Sequence, residues 1–254
     1  MEKILVDNGQ EFDFGKTSRE YAAYRDIYPK ELYERLYSLG VGTKGSRWLD
    51  LGTGTGVIPR GLACCGAEIV AADVSENQIA EAKRLSKELA NIQYEVCPAE
   101  EIDFPENSFD TVTACQCFWY FDPKRIVPKI KQILRPGGLF LKLYMSYLPE
   151  DPVAGRSHAL VERYNPAWDG GSSAIRDLKI HYFDDPHMEN FLVDLPFTRE
   201  SWHGRIKACR GVLASMNEKT FTEFESSHLR LLSSLPEQFT VRHEVFLTYY
   251  YISK

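Results

Sequence analysis

Residues 48–56 read Trp-Leu-Asp-Leu-Gly-Thr-Gly-Thr-Gly. An apolar run enters Asp50, then a turn with glycines at 52, 54 and 56, and a helical pattern follows over 57–65. Glycines at a strand-to-helix turn permit a tight bend and let a ligand lie against the main chain with no Cβ in the way. Asp73 ends the next apolar run, roughly twenty residues beyond the glycines, the place from which a carboxylate accepts hydrogen bonds from ribose hydroxyls. The turn departs from a dinucleotide fingerprint, because the sixth position counted from Gly52 is Val57 and Gly56 falls one place early. The phosphate loop with its lysine is absent as well. A nucleoside without phosphates suits such a turn better than a pyrophosphate does.

Two further segments open toward the same place if the runs before them are parallel strands: Ala99-Glu100, and Gln116-Cys117-Phe118-Trp119-Tyr120. The aromatics Phe118, Trp119, Tyr120 and Phe121 are candidates for an acceptor pocket, or for cation–π contact with a positively charged ligand; plain core is the alternative. Upstream, Tyr21, Tyr24 and Arg25 share one helical face, two aromatics and a cation able to close over the site. Downstream, Trp202, Ile206, Cys209 and Leu213 repeat at helical spacing and read mostly as core, with Arg205 and His203 as residues that can face an acceptor. His181 and His187 read as exposed loop histidines. Cys117 is pocket lining rather than a nucleophile, since no base is paired with it in the sequence. No catalytic residue is nominated.

These residues need a frame. Strand patterns at 47–51, 68–72, 92–96, 109–115 and 139–144 alternate with helical ones at 56–65, 75–90 and 124–134. That alternation predicts an α/β fold with a Rossmann-like, doubly wound, mostly parallel sheet, whose ligands sit beyond the carboxyl ends of the strands. Residues 17–40 read as two helices, capped by Thr17 or Ser18 and opened by Pro29. After 145 the alternation stops. Helices are expected at 153–164, 198–213 and 218–235, a strand at 189–195 and a final strand at 239–252. The expected organisation is one domain: a helical cap or lid (1–45), a cofactor core (46–145) and an acceptor-side elaboration (146–254).

The 254 residues are 44% hydrophobic and 26% charged, an ordinary globular balance, with a formal net charge of −6. The acidic charge and the lack of a long basic block argue against a nucleic-acid partner. No apolar run approaches a membrane span. The first residues meet an acid too early for a signal peptide, so a cytoplasmic location is expected. Six cysteines form no spaced ligand pairs, so no metal is expected.

The motifs together resemble class I S-adenosylmethionine-dependent methyltransferases of the type 11-like, small-molecule subgroup. Residues 48–56 look like motif I, and Asp73 is similar to the ribose-binding acid of motif II. Cys97-Pro98-Ala99-Glu100 resembles the segment that edges the adenine. Ser108-Phe109-Asp110-Thr111-Val112 looks like the fourth-strand motif, and Ile133-Leu134-Arg135-Pro136-Gly137-Gly138-Leu139 like the loop before strand five. The flanking pieces Phe14-Gly15-Lys16-Thr17, Tyr164-Asn165-Pro166-Ala167-Trp168 and Trp202-His203-Gly204-Arg205 carry the subgroup likeness. The resemblance implies seven strands with an antiparallel last one and an α-rich insertion after strand five. It implies S-adenosylmethionine as cofactor, S-adenosylhomocysteine as product and a small-molecule acceptor. It also implies cofactor contacts from Tyr21, Arg25, Asp50, Gly52, Thr53, Gly54, Gly56, Asp73, Val74, Ala99, Glu100, Gln116 and Cys117. An acceptor pocket would draw on Phe118, Trp119, Tyr120, Trp202 and Arg205. Strand four lacks the Asn/Asp-Pro-Pro-aromatic motif of family members that act on amide nitrogens of nucleic acids or proteins. Two alternatives remain open: a non-catalytic cofactor-binding or regulatory protein, and an NAD-type oxidoreductase, which Val57 disfavours.

Overall fold

The computed structural model describes residues 5–253. Its strands are β1 (Arg47–Leu51), β2 (Glu68–Asp73), β3 (Ile92–Val96), β4 (Phe109–Cys115), β5 (Leu134–Tyr147), β6 (His187–Thr198) and β7 (Gln238–Ile252). They form one sheet in the order β3-β2-β1-β4-β5-β7-β6. β1 to β5 are parallel, and β7 runs antiparallel to both β5 and β6. This is the expected doubly wound sheet with a reversed last strand.

The burial pattern explains the order. Trp48, Leu49 and Leu51 of β1 are completely buried, as a central strand covered on both faces requires. β6, at one edge, largely alternates between exposed and half-buried residues. The helices are α1 (Ser18–Tyr24), α2 (Lys30–Ser38), α3 (Val57–Leu62), α4 (Glu76–Leu85), α5 (Pro123–Ile133), α6 (Pro152–Tyr164), α7 (Ser172–Leu178), α8 (Arg199–Lys207) and α9 (Glu218–Ser233). α4 starts where expected, because Ser75 Oγ accepts the Gln78 N–H. It stops at Leu85, short of residue 90: Ser86 caps it and turns its hydroxyl to Tyr94 Oη at 2.7 Å.

Residues 146–254 differ from expectation most clearly in two helices. α8 ends at Lys207 rather than at 213. The turns beyond it bring Gly211 against Trp168, where a Cβ would lie 2.6 Å from the indole Cγ. α7 falls in a stretch read as loop. Its Gly- and Ser-rich start is organised by Asp169, whose carboxylate accepts from the N–H groups of Gly171 and Ser173. α7 is tied to the sheet by a buried pair, Lys142 Nζ to Asp177 Oδ2 at 2.9 Å, with Tyr182 donating to Asp177 Oδ1 at 2.6 Å. Among the described residues no helix is long and apolar enough to cross a membrane.

Candidate functional site

A cavity of about 560 Å³ opens at the carboxyl ends of the parallel strands. Its floor is the turn after β1. Thr53 N–H donates to Ala72 O at 2.9 Å, and Gly54 N–H to Asp73 Oδ2 at 2.8 Å. The other oxygen of Asp73 accepts from Ser75 N–H at 2.9 Å. One carboxylate therefore clamps the β1 turn to the end of β2 and the start of α4. Burial raises its pKa, against those same N–H donors. Gly52 has φ +63°, and a Cβ there would lie 2.7 Å from Cys117 Sγ, so both conformation and packing demand glycine. Gly54 faces the cavity; a Cβ there would meet nothing closer than 3.9 Å.

Most of the nominated residues meet here. Tyr21, Arg25, Gly52, Gly54, Asp73, Val74, Ala99, Glu100, Gln116 and Cys117 all line the cavity. Gln116 stands at φ +64°, unusual outside glycine, and is held by its amide donating to Met145 O at 2.6 Å. A strained residue of this kind at a strand end is a feature of functional sites. Glu100 Oε1 accepts the Asp122 N–H at 2.7 Å, which fixes the acid while it also caps the turn before α5. Burial pushes the Cys117 thiol well up, which agrees with lining and opposes a nucleophile.

Three nominated cofactor residues sit elsewhere. Gly56 caps α3 and faces the Tyr94 ring rather than the cavity, so its glycine is a packing requirement. Asp50 and Thr53 lie behind the turn, beside a void of about 20 Å³ that Tyr21 and Arg25 also border. Asp50 accepts from Thr113 Oγ1 at 2.5 Å, and Thr113 in turn accepts from Trp48 Nε1 at 2.7 Å. Burial pushes the Asp50 carboxyl up to about 6.

The aromatic predictions divide. Trp119 and Tyr120 line the cavity, as does Arg205. Phe118 does not: it packs on Phe140 and Tyr182, with ring centroids 5.3 and 4.8 Å away. Trp202 is completely buried and donates to Ser157 Oγ at 2.9 Å, so it belongs to the core. His203 turns to His228, nitrogen to nitrogen at 2.8 Å, away from the cavity. On α1, Tyr21 and Arg25 stay together, the guanidinium 4.9 Å from the ring centroid. Tyr24 leaves their group to pack on Gly204.

Several lining residues were not nominated. Tyr144 and Tyr147 come from the end of β5, where strand position alone could have flagged them. Gln78, in the first turn of α4, lines the cavity and keeps its buried Oε1 without a partner. Arg210 had no sequence signal. It donates to Asp7 through Nε at 2.6 Å, to Asp169 through Nη2 at 2.6 Å and to Tyr120 Oη at 2.7 Å. A second cavity of about 430 Å³ shares Tyr144, Ser146, Tyr147 and Gly170 with the first and is mostly apolar.

Comparison with known proteins concerns the family and the fold. Residues 49–141 match the family model described as a methyltransferase domain. An uncharacterized methyltransferase of Mycobacterium tuberculosis is 33% identical over 125 residues, 49% of this chain and 49% of its own length. A ubiquinone biosynthesis O-methyltransferase of Xanthomonas euvesicatoria is 33% identical over 113 residues, 43% of this chain and 46% of its own. The match thus spans about half the length of these curated relatives. The crystal structure of the YcgJ protein of Bacillus subtilis superposes with a TM-score of 0.55 at 19% identity, covering 89% of this chain and all of that one. That likeness concerns the fold.

Proposed function

Starting from a chain whose residues 49–141 match the family model of a methyltransferase domain, we propose that it transfers a methyl group from S-adenosylmethionine to a small-molecule acceptor. The observation that carries this reading is the pairing, in one cavity, of the Asp73-clamped glycine turn with an Arg25 that has no carboxylate partner among the described residues. An acid at one end and an unpaired guanidinium near the turn suit a nucleoside that carries an amino-acid tail. Gln78, whose buried Oε1 has no partner, lines the same cavity. When bound, this cofactor supplies an already activated methyl sulfonium.

The chain's own residues have the remaining tasks. Gly54 leaves the main chain open to the ligand, and Asp73 offers its free lone pairs to ribose hydroxyls. Val74, Ala99 and Glu100 edge the base. Arg25, held against Tyr21, takes the carboxylate. Asp50 and Thr53 act from behind, by ordering the turn. Trp119, Tyr120 and Tyr144 wall the cavity with aromatic surface, which excludes water and tolerates a cation. The first cavity has no histidine in its lining, and burial raises the phenols of Tyr120 and Tyr144. Positioning of the acceptor's nucleophilic atom is the protein's contribution. Phe12, Asp13, Phe14, Tyr21 and Arg25 cap this cofactor from the amino-terminal segment.

Calorimetry with S-adenosylmethionine, S-adenosylhomocysteine and NADH tests the cofactor. Binding of the first two and not of NADH is expected; NADH binding alone would overturn the assignment. Transfer of radiolabelled methyl to a small-molecule extract then tests catalysis. Cofactor binding with no transfer to any fraction would favour a regulatory protein.

A further inference from the structure

Three arginines line the cavity, and their surroundings differ. Arg210 is neutralised twice, by Asp7 and by Asp169. Arg25 and Arg205 form no ion pair among the described residues, although Arg205 is only 3% exposed. Arg205 Nη1 reaches Cys209 Sγ at 3.2 Å, and its guanidinium lies 5.8 Å from the Tyr147 ring centroid. Its Nε is buried with no partner at all. A buried guanidinium with an orphaned N–H carries a desolvation cost that a protein offsets with an anion. Burial and the nearby Arg25 charge both depress the Arg205 pKa, as expected of a cation lacking its counter-charge.

The two unpaired arginines are not equivalent in place. Arg25 borders the small void behind the glycine turn with Gly52 and Thr53, whereas Arg205 stands on α8 against Tyr147 at the end of β5. Cys209 lies between them, 4.0 Å from Arg25 Nη1. We propose that Arg205 is the anchor for the methyl acceptor, and that the acceptor is an organic monoanion, a carboxylate on an apolar body. This rests on the methyltransferase reading, in which Arg25 serves the cofactor. One charge then remains for the acceptor, which fits a carboxylate and leaves a phosphate dianion half-compensated. The body of the acceptor lies against Tyr144, Tyr147 and Trp168, of which Tyr144 and Tyr147 also line the second, apolar cavity.

The test uses the full chain saturated with S-adenosylhomocysteine. Benzoate, phenylacetate and 3-phenylpropionate are titrated by calorimetry beside their neutral amides and beside inorganic phosphate. The expected result is binding of at least one carboxylate, with its amide weaker on the order of tenfold or more. Arg205→Gln should abolish that preference and leave S-adenosylhomocysteine affinity within about threefold, with Arg205→Lys in between. Amides binding as tightly as acids, phosphate binding best, or no carboxylate binding to a protein that holds the homocysteine product would each overturn the proposal. So would an Arg205→Gln that loses the product as fully as Arg25→Gln does. The acid–amide comparison is made on the unmutated chain, so it stands even if Arg205→Gln fails to fold. Failure of S-adenosylhomocysteine to bind the unmutated chain would instead overturn the methyltransferase reading.

Discussion

The two ends of the cavity are built by opposite means. At the glycine end the geometry is main-chain geometry: Thr53 and Gly54 N–H groups fastened to β2 and to Asp73 within one strand–helix–strand unit. At the arginine end it is side-chain geometry, assembled from segments as distant as Asp7 and Arg210. The first arrangement is local in sequence. The second exists only once the whole chain has folded. The family-model match, residues 49–141, takes in the first arrangement and ends before Arg205 and Arg210 of the second.

That contrast can be broken experimentally, most severely at the glycine end. Asp73→Ala removes the two hydrogen bonds that join the turn to the start of α4 as well as the proposed ribose partner. S-adenosylmethionine affinity should fall by about 3 kcal/mol, on the order of a hundredfold, by calorimetry. An affinity within threefold of the parent would mean that the turn holds the cofactor without its acid.

Next comes Asp50, whose carboxyl is pushed up to about 6 by burial. A folded pKa above the unfolded value means the native state holds the proton more tightly. Stability from this group is therefore full below the unfolded pKa of about 4 and declines as pH rises to about 6, by about 2–3 kcal/mol. Asp50→Asn should remove that slope. Its melting temperature relative to the parent should rise between pH 4 and pH 7, and a constant difference would refute the assignment.

At the arginine end, Asp169 behaves in the opposite sense. Burial alone would raise its pKa, but the Arg210 charge and the N–H donors outweigh burial and lower it. Its stabilising contribution is complete above the ordinary carboxylate range and disappears as pH falls through the lowered value. Asp169→Asn should cost about 2 kcal/mol at pH 7 by chemical denaturation. The deficit should shrink below about pH 4, because the parent loses the same interaction there.

The smallest effect sharpens the comparison at Val74, the proposed adenine edge. Val74 is 68% exposed and lines the cavity. Val74→Ala should weaken cofactor binding by under about 1 kcal/mol and leave the melting temperature of the ligand-free protein unchanged.

The same contrast explains what was legible from residues alone. The sheet, the turn and Asp73 could be read because apolar periodicity, glycines and a carboxylate recur at fixed short offsets. Phe118 and Trp202 were misplaced because an aromatic after a strand, or on a helix face, looks alike whether it meets a cavity or the core. Only the packing of Phe118 on Phe140 and of Trp202 on Ser157 separates the two cases. α7 was hidden by Gly170 and Gly171, residues that usually mark loops and here lead into a helix capped from Asp169. The partnership of Arg210 with Asp7 and Asp169 spans 203 and 41 residues, and no local pattern announces it.

The buried contact of Asp7 also sets how small a working fragment can be. Residues 49–141 carry the recognisable family pattern, and it is tempting to excise near them. A fragment beginning at residue 46 would lose Tyr21, Arg25 and both rings of Phe12 and Phe14 that meet Tyr120. It would also leave Arg210, where present, with Asp169 as its single remaining acid. Truncation trials, affinity tags and fusion partners at the amino terminus should therefore be designed around residue 7, with an added linker placed ahead of it.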